Sequence, residues 1–155
     1  MSCDAVAFSA MLWLAAASPS DKPSLQVAVA SAPVAPPSVA GEPLFADIVK
    51  RAGALQDQVK AFQGVDGALP GFAQFKLDIA KLSDLDMQGH VTLVQRGVTD
   101  DLKCILRGIS QDLPVRLKAV EAATDTKTRD AALKEIEYLL RDNVEVITSP
   151  PQPSA

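Results

Sequence analysis

The chain has 155 residues, 48% of them apolar and 22% charged, with a formal net charge of -4. These proportions suit an ordinary globular protein and exclude collagen-like, disulfide-dense and purely coiled-coil scaffolds. The acidic balance argues against a nucleic-acid partner, since binding a phosphate backbone requires a basic face.

The chain opens with an uncharged run, Ala5 to Ala17. As a helix it would rise about 20 Å, short of the roughly 30 Å hydrocarbon core, so it is a poor membrane span. It fits the apolar region of a signal peptide, and Ala15, Ala16 and Ala17 supply small residues for cleavage before Ser18. Residues 1–17 are therefore expected to be a signal peptide, although Met1-Ser2-Cys3-Asp4 lacks the usual basic residue. Six prolines (Pro19, Pro23, Pro33, Pro36, Pro37, Pro43) then fall in one stretch. Proline fixes φ and removes backbone donors, and small side chains bury too little area to offset ordering entropy. Residues 18–42 are expected to form a disordered tether, with no membrane span in the mature chain.

From residue 43 the pattern turns helical. Leu44, Ile48, Ala52, Leu55, Val59 and Phe62 recur at steps of three and four, with Phe45 and Val49 widening the stripe. Pro43 suits a first turn, and Gly64 suits a stop. A second run carries Phe72, Phe75, Ile79 and Leu82. Ser83 with Asp86 resembles a capping box and predicts a break there. The third stripe reads Val91, Val94, Val98, Leu102, Ile105 and Ile109, one long helix with an interruption at Gly97. Asp112 and Pro114 look like a restart, followed by Val115, Leu117, Val120 and Ala123. The last helix is the clearest, with Ala132, Leu133, Ile136, Leu139, Leu140 and Val144 on one stripe and Glu137–Arg141 as an i,i+4 pair. Val144–Ile147, the only strand-like run, reads as the end of that helix. Residues 149–155 are expected to be a disordered tail.

Such stripes must bury themselves on one another, which predicts an all-α antiparallel bundle of four to five helices over residues 43–148, with a disordered N-terminal tether. Chemistry is sparse. His90 is the only histidine; with Met87 at i−3 it gives the only candidate metal ligands. A mononuclear site needs further ligands that nothing in the sequence marks, so a packed histidine is the preferred reading and no cofactor is expected. Cleavage before Ser18 would take Cys3 away, and Cys104 is expected to be a small core residue. The acids Asp84, Asp86, Asp100, Asp101, Asp112, Asp125 and Asp130 are read mainly as helix-terminus residues. No phosphate loop, nucleophile elbow or paired-acid spacing is present. The expectation is a non-enzymatic protein, periplasmic or secreted, that acts on an unidentified protein partner in the cell envelope. A small-ligand or metal-binding bundle using Met87 and His90 is the alternative.

Overall fold

A computed structural model describes residues 38–98 and 101–149. The apolar run 5–17, the linker up to residue 37 and the tail from residue 150 lie outside the described residues. Within them the protein is all-α, a bundle of four helices with no strand: α1 Pro43–Phe62, α2 Phe72–Gln95, α3 Leu102–Ala122 and α4 Thr126–Thr148.

Pro43 occupies the first turn of α1, where its missing N–H costs nothing. Phe45, Ile48, Ala52, Leu55, Val59 and Phe62 form the buried face, so Phe45 takes the core place expected of Leu44, which is half-buried. The loop after α1 turns through glycines at φ of 75° (Gly64), 78° (Gly67) and 72° (Gly71), a region that strains other residues. Arg129 of α4 holds this loop by donating to the carbonyls of Val65 and Gly67.

Helix α2 runs through Ser83 without the expected break. Its core row is Phe75, Ile79, Leu82, Asp86, Gly89 and Leu93, still at steps of four and three. Val91 and Val94, expected in the core, point outward. The helix ends before Gly97 rather than continuing through it, so its inward row keeps the phase of Leu82 and Asp86, not that of Val98 and Leu102. Gly97 has φ 67°; its N–H reaches the Val94 carbonyl at 3.0 Å, and that of Val98 reaches Leu93 at 3.1 Å. This pair of bonds is a Schellman stop, and Val98 folds back onto the core behind it.

Helix α3 also differs from expectation, since it contains Pro114 in its interior and no restart at Asp112. Leu102, Leu106, Ile109, Leu113 and Val120 form its apolar core face, whereas Val115 is exposed. Helix α4 starts at Asp125, whose carboxylate accepts from the Thr128 N–H at 2.8 Å. It is the one expected terminal acid that caps with its side chain among the described helices. Leu133, Ile136 and Leu140 are fully buried, and Val144–Ile147 is helical as expected. The expected Glu137–Arg141 pair does not form: Glu137 accepts from Gln63, and Arg141 lies over the Tyr138 ring.

Each helix packs on its neighbours in chain order, and α1 also packs on α4. Lys76, Ser83 and His90 of α2 bond to Glu121, Ser110 and Lys103 of α3. Rising numbers on one helix meet falling numbers on the other, so the two run in opposite senses. The same holds for α1 and α2, joined by Phe62–Phe75 at one end and Glu42–Arg96 at the other. The remaining space is a continuous apolar interior around which the four helices are arranged.

Candidate functional site

Three polar residues interrupt this interior along one side of α2. Ser83, Asp86 and His90 stand at i, i+3 and i+7, two full turns of helix. Each has a different task. Pro114 has no N–H, so the Ser110 carbonyl one turn earlier on α3 has no helical donor. Ser83 donates its hydroxyl to that carbonyl. The residue read as a helix break is thus the group that lets a proline sit inside the neighbouring helix. His90 is half-buried, with Nδ1 2.6 Å from the Lys103 carbonyl. A carbonyl only accepts, so the ring donates from Nδ1.

Asp86 is the deepest of the three. It and Asn143 of α4 are both 0% exposed, and the Asn143 Nδ2 group lies 2.9 and 2.8 Å from the two carboxyl oxygens. No ion pair to Asp86 occurs among the described residues. Burial pushes the Asp86 pKa up to about 7, with the Asn143 N–H bond opposing in part. Asn143 Oδ1 is buried without a partner.

Met87 and His90 remain two half-buried residues on one helix. No group of three or more His, Cys, Asp or Glu side chains that could hold a metal ion occurs among the described residues. Cys104 is disulfide-bonded, so it is not the core thiol expected from the sequence. A cavity of about 370 Å³ lies between the end of α1 and the start of α2, lined by Gln58, Ala61, Phe62, Pro70, Gly71 and Gln74. This lining offers two amides and a ring but no titratable side chain, so it holds no acid or base for catalysis.

The outer surface is more distinctive. Leu77 is 65% exposed, Val91 44% and Val94 49%, all on α2. With exposed Ala73, Ala80 and Asp84 and half-buried Met87 they form a row at steps of four, three, four, three, four and three. Helix α2 therefore has two apolar rows, one in the core and one outside. Set against known protein families, curated proteins and solved structures, the chain matches none.

Asp86 and Asn143 carried a signal in the sequence. Each stands where an apolar residue belongs in its stripe: Leu82–Asp86–Gly89 on α2 and Leu140–Asn143–Ile147 on α4. The break assumed at Ser83 hid the first, by turning Asp86 into a capping residue.

Proposed function

We propose that the chain is an exported, non-enzymatic helical bundle that binds a protein partner in the cell envelope. The observation that supports this is the set of large apolar side chains left outside the core, namely Leu77, Val91, Val94, Val115 and Tyr138. Single exposed apolar residues are ordinary, but three of these share one helix face, and contiguous exposed apolar surface marks interaction sites. The periplasmic or secreted location rests on the uncharged run before Ser18 and the proline-rich linker that follows it.

The test is a survey with a photo-crosslinking residue placed singly at Leu77, Val91, Val94, Val115 and Tyr138, with exposed Lys134 as control, in the cells that make the protein. Discrete adducts with another protein at the apolar positions, and none at Lys134, are expected. Absence of adducts at all five positions would reject the interaction reading.

A further inference from the structure

The two ends of α4 are fastened differently. Toward its start, Thr126 donates to Asp66, Arg129 donates to the Val65 and Gly67 carbonyls, Asp130 accepts from the Gly64 N–H, and Glu137 accepts from Gln63. Beyond Glu137, Asn143 makes the one side-chain hydrogen bond from α4 to another element among the described residues, and it goes to Asp86. Otherwise that end is held by apolar burial, chiefly of Leu140, Val146 and Ile147, and the helix closes at Thr148, little more than a turn after Asn143. Asp86 stands on firmer ground. Ser83 and His90 fasten α2 to the Ser110 and Lys103 carbonyls of α3 on either side of it, and Arg96 ties the end of α2 to Glu42 at 2.8 and 2.7 Å. Helices α2 and α4 each pack on α1 and α3 but not on one another, so the Asp86–Asn143 bond crosses the bundle interior.

The groups around Asp86 offer its charge little. The buried faces of α1 and α4 carry no titratable side chain, and that of α3 carries Lys103 alone. Neither Lys103 nor half-buried Arg107 pairs with Asp86, while Asp47 and Arg51 of α1 pair with each other. On α4, Asp142 is half-buried and Glu145 exposed; on α2, His90 lies one turn on from Asp86. A carboxylate with a single amide for partner is poorly compensated in an apolar interior and gains by reaching water. The path that breaks fewest polar bonds is the lifting of the end of α4, since helix ends open more readily than helix middles. We propose that the Asp86–Asn143 bond is a pH-sensitive latch: loss of the Asp86 proton to solvent lets residues 143–148 lift from the core while the rest of the bundle stays folded. This latch does not depend on the interaction reading.

The test is amide hydrogen exchange of the full chain, read by NMR from pH 5 to pH 8 and corrected for the intrinsic pH dependence of exchange. A proton held in the closed state and released in the open one makes opening about tenfold more frequent per pH unit. Protection of residues 144–148 should fall at that rate and level off above about pH 7. These amides should also exchange faster than those of residues 133–140 at every pH. Asp86→Asn is expected to abolish the slope, and Asp86→Leu, which fills the same core place without a polar group, should do the same. His90→Gln should retain it. Exchange of residues 144–148 that is indifferent to pH would overturn the latch. So would a slope that survives Asp86→Asn and Asp86→Leu, or one that vanishes in His90→Gln. Exchange of residues 144–148 at the same rate as residues 133–140 would overturn it as well, because the opening would then be unfolding of the whole bundle.

Discussion

Asp86 enters the core with the Asn143 amide as its hydrogen-bond partner and no ion pair among the described residues, and the consequence is a stability that depends on pH. Its ordinary value is 3.8, and in the folded protein it rises to about 7 because burial disfavours the charge. Between those values the folded state holds a proton that the unfolded chain has released. The stability this group confers is therefore complete below about pH 4 and is lost as pH rises through 7. A shift of this size corresponds to at most about 4 kcal/mol. Urea denaturation midpoints are expected to fall between pH 5 and pH 8, and Asp86→Asn, which cannot ionise, should flatten that slope. A wild-type profile that rises over the same interval would show that Asp86 titrates in the ordinary carboxylate range.

At the scale of helices, the decisive contact is between α2 and α3. Proline inside a helix ordinarily leaves a carbonyl bare and costs about 3 kcal/mol. Here the Ser83 hydroxyl meets the Ser110 carbonyl. Ser83→Ala should destabilise the protein by about 1–3 kcal/mol, the cost of a buried carbonyl left unmet. In a Pro114→Ala background the helix supplies its own N–H to that carbonyl, so the same change should cost about 1 kcal/mol less. Four thermal or chemical unfolding curves complete this double-mutant cycle. Equal costs in both backgrounds would mean that Ser83 does not act through the proline. Gly89 shows why a weak helix former is retained in α2. A Cβ there would lie 3.0 Å from Leu106 and 3.3 Å from Phe45, so its absence lets α1 and α3 close on α2.

For the whole molecule, export is the expectation that a single measurement addresses. The intact mass of the native protein, taken without reductant, is expected to correspond to a chain beginning at Ser18. That cleavage would remove Cys3, the only other cysteine in the sequence, so it excludes an intrachain bond at Cys104. A full-length mass would end the export reading and retain both cysteines in one chain.

The sequence alone determined the helical class and most of the core. Its 3-4 stripes persist wherever local propensity and burial agree, as in α1 and in Leu133, Ile136 and Leu140 of α4. It also marked the glycine and proline punctuation, but not what each punctuation mark did. Gly97 ended a helix that seemed only interrupted, and Pro114 was absorbed into one that seemed to restart. Those outcomes depended on partners distant in sequence: a folded-back Val98 in the first case and Ser83 in the second. The same dependence decided which row of α2 faced inward. Both rows have helical spacing, so periodicity could not choose between them. Packing against Phe45, Ile48 and Leu106 chose the row with Asp86 and Gly89, because only a small residue at 89 allows the helices to meet, and it left the row through Asp84 facing outward.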